Sequence, residues 1–242
     1  MPDLYSNTDD GQIFKNDGSS WADARDATSG SVAATASGSG SFTSARRSTG
    51  RSGLVYGVYR SFMYFDTSSI TSSVASATIK IYGFSGNDGS IIAVKSTAFG
   101  GDGGTALAST DFNNISGFST GSSLDGNATV YAPQILTTNW STTAYNSMTG
   151  TSDLKTDMQN NDVVIICFMD YTNDYLNSAL TSDLTLNIGG NYTEAGGSGT
   201  SKDPYIEYTL AGYGNNVNSV AAANISKVKG VATASIDKII GV

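Results

Sequence analysis

The sequence contains no histidine, one cysteine, three prolines and two tryptophans in 242 residues. Without imidazole there is no histidine metal site, no Ser-His-Asp relay and no side chain whose ordinary titration falls near neutrality. The single thiol, Cys167, has no intrachain partner for a disulfide. Charge is scarce and one-sided: 13 basic against 21 acidic side chains give a net charge of −8 and a pI near 4.3. Nucleic-acid phosphates reward lysine and arginine, so no nucleic-acid partner is expected. No apolar run approaches the roughly 20 residues that span a bilayer, and no membrane association is expected. The longest such run, Val163 to Met169, has the length of a strand. The opening Met1-Pro2-Asp3-Leu4-Tyr5 lacks a basic segment followed by an apolar one. No secretory signal is read there, and synthesis in a cytoplasm is the expectation.

What is present favours extended chain. Glutamate occurs only at Glu194 and Glu207 among the 21 acidic residues, and there are 28 glycines. Aspartate, serine, threonine, asparagine and glycine prefer turns, caps and strands to helix interiors. The reading is all-β, an antiparallel β-sandwich of jelly-roll type over residues 1–212, with a repetitive segment over 213–242. Gln12-Ile13-Phe14 precedes a turn signal at Asn16-Asp17-Gly18, and Leu54 to Phe65 is rich in valine and aromatics suited to a pleated surface. Ala77 to Phe84 alternates Ile79 and Ile81 with Lys80 and Tyr82, and Asn87-Asp88-Gly89 predicts a hairpin turn into Ser90–Thr97. Val163–Met169 reads as a strand buried on both faces, and Leu184–Ile188 and Tyr205–Leu210 complete the set. Two short helices are expected. One lies within Thr105–Ile115; the other spans Thr151–Asn160, with Thr151 as cap and Leu154 and Met158 four apart. Residues 28–53 are serine, threonine, glycine and alanine with Arg46, Arg47 and Arg51 inserted, a loop-like composition with little to pack.

The last thirty residues repeat with an eleven-residue period. Val217, Val228 and Ile239 align, as do Val220, Val231 and Val242, and Ile225 aligns with Ile236. Eleven residues fill about three helical turns, which would gather these side chains into one stripe. Gly230 weakens a helix, so a ladder of short turns is the competing conformation. Either way the segment is too short to bury its own apolar face, and it is expected to pack on copies of itself or on another protein, with a flap folded onto the main domain as the alternative.

Catalytic signatures are sparse. There is no Gly-x-Ser-x-Gly elbow and no phosphate-cradling loop with its lysine. Glu194 sits in a glycine-rich loop, Glu207 is expected to face outward from a strand, and Cys167 is expected to be a buried, inert thiol. A glycosidase would need two carboxyls facing across a bond, which composition alone does not place. Calcium is the one metal with donors in view, at Asp9-Asp10, Asn87-Asp88, Asp102 and Asp170 to Asp174. The same residue types populate the turns of any β-protein, so no metal or cofactor is expected. Tyr56, Tyr59, Phe62 and Tyr64 are expected to pack within the sandwich, although tyrosine can also stack on sugars.

The run from Arg60 to Ile70, Arg-Ser-Phe-Met-Tyr-Phe-Asp-Thr-Ser-Ser-Ile, followed by Ala77-Thr78-Ile79-Lys80-Ile81-Tyr82, resembles the core of DNRLRE-type β-sandwich domains. The flanking Asp10–Ile13, Trp21–Arg25, Ala108–Phe112 and Gly199–Tyr208 resemble their other landmarks. The resemblance covers most of residues 8–210, implies a jelly roll found on cell surfaces and in phage structural proteins, and carries no catalytic signature. The C-terminal repeat is similar to short repeats in phage virion proteins. Together they imply a non-enzymatic virion protein, a head decoration or fibre assembled in a host cytoplasm. It would join other capsid or tail proteins, or form a homo-oligomer such as a trimer, through Val217, Val220, Ile225, Val228, Val231, Ile236, Ile239 and Val242. A tail component is a close variant. The alternative is a carbohydrate-binding adhesin module of a bacterial surface, whose exposed tyrosines would meet a host-surface glycan.

Overall fold

The computed structural model describes residues 3–18, 20–35, 38–51, 53–193, 202–211, 227–228 and 231–232. In chain order these form β1 (Asp3–Tyr5), β2 (Gly11–Asp17), α1 (Trp21–Arg25), β3 (Ser31–Thr35), β4 (Ser39–Gly50), β5 (Gly53–Asp66), β6 (Val74–Asn87) and β7 (Ser90–Lys95). There follow β8 (Val130–Leu136), β9 (Tyr145–Thr149), α2 (Ser152–Asn160), β10 (Val163–Met169), β11 (Leu184–Asn191) and β12 (Tyr205–Leu210). All the pairings between these strands are antiparallel. The architecture is strand-dominated and sandwich-like. No helix among the described residues is long and apolar enough to cross a membrane.

One sheet, called outer here, runs β1-β12-β6-β9. The other, central, sheet carries β11, β4, β5, β10, β7 and β8, with β2 and β3 attached at β5. Strand β6 serves both: Thr78 to Tyr82 pair with β9, whereas Gly83 to Gly86 pair with β11. The change of sheet falls at Gly83, where an added Cβ would lie 1.8 Å from the Ser141 carbonyl oxygen. Only glycine permits that approach.

The central sheet is covered on both faces. In β10, Val164, Ile166 and Phe168 join Ile79, Ile81, Ile206 and Met148 of the outer sheet in one core. Ile165, Cys167 and Met169 join a second core beneath an irregular layer built from α1 and the 3-10 turns at Phe99–Gly101 and Ser109–Asn113. The period of two thus divides one uniformly apolar run between two interiors, as the composition of Val163–Met169 predicted. Cys167 is fully buried, and burial pushes its thiol well above the usual range, against a smaller opposing pull from Arg60. Helix α2 starts where expected: the Thr151 hydroxyl accepts from the Leu154 amide, and Leu154 and Met158 are buried in the inner core.

Three expectations need correction. Residues 28–53 are not a loop, because β4 is hydrogen-bonded to β11 on one edge and β5 on the other. Its small side chains suit that crowded position: Phe42, Thr43, Ser44 and Ala45 are buried, and the Thr43 and Ser44 hydroxyls donate to the Ser90 and Leu186 carbonyls. The turn expected at Asn16-Asp17-Gly18 comes later, since β2 holds Asn16 and Asp17 opposite Gly57 and Tyr56. Asp88 does adopt positive φ, but no hairpin follows: β7 pairs with β10 and β8 because β11 occupies that edge of β6. The short helix expected within Thr105–Ile115 is present as a 3-10 segment, Ser109–Asn113.

Strands β13 (Lys227–Val228) and β14 (Val231–Ala232) pair antiparallel, so the helical alternative fails at these four positions. Of the proposed attachment residues, Val217, Val220, Ile225, Ile236, Ile239 and Val242 lie outside the described residues, as do Glu194 and the rest of the repeat.

Candidate functional site

The most heavily charged locus is interior. Arg60 and Asp174 are both fully buried. Arg60 Nε donates to Asp174 Oδ2 at 2.7 Å and Nη2 to Oδ1 at 2.6 Å, a bidentate fork. Its remaining donors reach the Phe112 carbonyl at 2.8 Å and the Arg25 carbonyl at 2.9 Å. The guanidinium lies 4.2 Å from the Phe112 ring centroid. Arg25, also fully buried, donates to the Asp174 carbonyl at 2.8 Å and to the Asp26 carboxylate at 2.5 Å. Burial disfavours the Arg60 charge, but the Asp174 carboxylate more than offsets it and the guanidinium is held above its usual range. Sequestered, with Arg25 Nη2 left without a hydrogen-bond partner, this cluster ties α1, β5, the 109–113 turn and the Tyr171–Tyr175 π-turn into one layer. Its chemistry is cohesion.

Asp10 and Asp170 are also buried, and among the described residues neither is in a salt bridge. Asp10 Oδ2 accepts from the Ser6 hydroxyl and the Thr193 amide, both at 2.9 Å, while Oδ1 has no hydrogen-bond partner. Burial pushes this carboxyl up to about 7, against the opposing pull of those donors. Asp170 caps the π-turn through the Asn173 amide and accepts from the Ser90 amide and hydroxyl; burial likewise raises it. Of the carboxylates that sequence reasoning offered to calcium, Asp10, Asp170 and Asp174 thus have defined protein partners. Among the described residues no group of three or more acidic or cysteine side chains is placed to hold a metal.

A cleft of about 570 Å³ opens between the end of β7 and the C-terminus of α2, lined by Lys95, Asp102, Asn160, Asp162 and Val163 among others. Beside it, Lys95 Nζ donates to Asp157 at 2.9 Å and the Tyr131 hydroxyl donates to the same carboxylate at 2.6 Å. Burial would raise Asp157, but these donors outweigh it and hold the carboxyl below its usual range. The charge on Lys95 is therefore matched within the wall itself.

The third locus is external. Tyr5 of β1, Tyr205 of β12, Tyr145 of β9 and Tyr82 of β6 form a continuous row across the solvent side of the outer sheet. Neighbouring ring centroids are 5.4 Å (Tyr5–Tyr205), 5.1 Å (Tyr205–Tyr145) and 5.4 Å (Tyr145–Tyr82) apart. All four residues are partly exposed. The Tyr145 hydroxyl donates to the Asp203 carbonyl at 3.0 Å and that of Tyr82 to the Thr143 carbonyl at 2.7 Å, which fixes both rings. Sequence reasoning singled out different aromatics: Phe62 and Tyr64 are buried and Tyr56 packs beside them, but in the second core rather than between the sheets. Tyr59 stacks on Phe14. The row was invisible to spacing because each strand contributes one ring. Glu207, expected to point outward, does so and pairs with Lys80 at 3.3 Å.

No protein-family model matches the chain, and no curated protein matches it in sequence.

Proposed function

We propose that the chain is a structural protein of a bacteriophage particle, a jelly-roll module displayed as a head decoration or fibre and docked through residues 213–242. The observation that carries this reading is the meeting of the resembling segments at one side chain. Trp21–Arg25, the Arg60-led strand and Ala108–Phe112 are far apart in sequence, yet the Arg60 guanidinium donates to the carbonyls of both Arg25 and Phe112. Segments that resemble one domain type thus converge on its basic landmark, which supports the assignment of type.

The test is removal of residues 213–242. The truncated chain is expected to remain folded, run as a monomer by light scattering and be missing from purified particles, whereas the full chain self-associates or co-purifies with capsid or tail proteins. A full chain that is monomeric and absent from particles, or a truncated chain that incorporates normally, overturns the reading.

A further inference from the structure

The outer sheet has one face against the core and one face in solvent. On the solvent face the residues alternate with the buried Ile79, Ile81, Ile206 and Met148, and they divide into two zones. One is the row Tyr5–Tyr205–Tyr145–Tyr82, a single ring wide. The other is polar, with Asp3 opposite Glu207 and Thr78 opposite Thr149. Lys80 stands at the boundary, opposite both Tyr205 and Ser147; it pairs with Glu207 and donates to the Ser147 hydroxyl at 2.9 Å. Lys202 lies 5.0 Å from the Tyr82 ring centroid.

This pattern discriminates between occupants. A stable protein interface buries about 800 Å² on each partner around a broad apolar centre. A stripe one ring wide, bordered at once by charges and hydroxyls, offers no such centre. It does match a chain of pyranose rings. Their C–H faces are apolar and lie against aromatic rings, while their equatorial hydroxyls reach sideways to carboxylates, ammonium groups and hydroxyls. Tyr145 and Tyr82, held by backbone hydrogen bonds, brace one end of the row and lose little freedom on binding, which favours affinity. Asp3 and Glu207 beside the row are matched in number by Lys80 and Lys202, so the border carries no excess charge and suits a neutral sugar.

We propose that the tyrosine row of the outer sheet is a binding site for a neutral oligosaccharide, with Tyr5 and Tyr205 as stacking platforms and Glu207 and Lys80 receiving hydroxyls along its edge. The site belongs to the sandwich alone and is independent of how residues 213–242 attach, so it serves a module displayed on a particle or on a cell.

The test is a glycan array carrying neutral and sialylated glycans, probed with the full chain and with Tyr5→Ala, Tyr205→Ala and Tyr205→Phe, each checked for folding by its melting temperature. Neutral glycans are expected to bind; Tyr205→Ala is expected to lose at least tenfold in affinity, and Tyr205→Phe, which keeps the ring, less than threefold. Three results would overturn the proposal: no neutral glycan bound, a preference for sialylated glycans, or affinity unchanged in a folded Tyr5→Ala/Tyr205→Ala double variant. Loss of particle incorporation in Tyr205→Ala without any glycan binding would assign the row to a protein partner instead. Failure of attachment through the C-terminal repeat would leave all these outcomes unchanged.

Discussion

The two faces of the central sheet are held by different physics. Toward the outer sheet, Phe168 packs among Ile79, Ile81, Ile166 and Phe42, an interior of hydrocarbon assembled from alternating strands. Toward the irregular layer, the same strand presents Cys167 and Met169 to a region pinned by Arg60, Arg25 and Asp174. The first interior rests on many small, non-directional contacts that share the burial. The second hangs on a few directional bonds, and removing one partner leaves the others charged and dry. A layer of loops can therefore be as firmly fixed as a sheet, provided a buried fork substitutes for a ladder.

Asp174→Ala strips Arg60 of its fork and leaves that buried guanidinium without its carboxylate, whereas Arg25 keeps Asp26; the expected loss is about 3–5 kcal/mol. Phe168→Ala is expected to cost a similar amount, roughly 3–5 kcal/mol, by opening a cavity. The two variants separate by where hydrogen exchange accelerates. In Asp174→Ala, protection should fail first at 99–124 and 171–178 while the outer sheet stays closed. In Phe168→Ala, protection should fall throughout both sheets. Uniform acceleration in both variants would show that the two cores unfold as one unit and that the contrast is one of chemistry alone.

This contrast also explains what could be read from the amino acids. Val163–Met169, Ala77–Tyr82 and the Thr151-capped helix are local patterns, and local rules place them within a few residues. Residues 31–50 are opaque because strands β3 and β4 have no apolar period of their own; their serines, threonines and glycines are extended by the neighbours that flank them. The Arg60–Asp174 fork joins residues 114 apart, a separation that no spacing rule spans. The tyrosine row is dispersed in the same way, one ring per strand, and becomes a surface only once register is known.

Asp10 provides a middle case, a buried carboxyl with no guanidinium opposite it. Its surroundings are the hydroxyls of Ser6 and Thr193 and, more distantly, Asp203 and Tyr192. Because the folded state holds this proton up to about 7 and an unfolded chain releases it from the ordinary value of 3.8, folding takes up a proton between those limits. The stabilisation is full below about pH 4, declines as pH rises, and is gone above about pH 7. Asp170, also raised, adds to the decline; Asp66 and Asp157, held low, oppose it only toward acid. Urea midpoints measured from pH 5 to pH 8 should therefore fall in the native chain and fall less steeply in Asp10→Asn, where only the Asp170 contribution remains. A midpoint that rises with pH in the native chain would place a cation, rather than a proton, beside Asp10.

The smallest expected effect lies on the hydrocarbon side, at the start of α2. The Thr151 hydroxyl accepts from the Leu154 amide at 3.4 Å and donates to the Val130 carbonyl at 2.7 Å. The cap is long, whereas the link to β8 is short, so the hydroxyl acts more as a tie between helix and sheet than as a helix signal. Thr151→Ala is expected to cost about 1 kcal/mol, a fall of about 2–4 °C in melting temperature, and Thr151→Ser to recover most of it. Thr151→Val keeps the shape without the hydroxyl, and it should match the alanine variant if hydrogen bonding is what matters. If instead valine restores stability, the position is held by packing of Leu154 and Met158 alone, and the inner core needs no directional bond even at its margin.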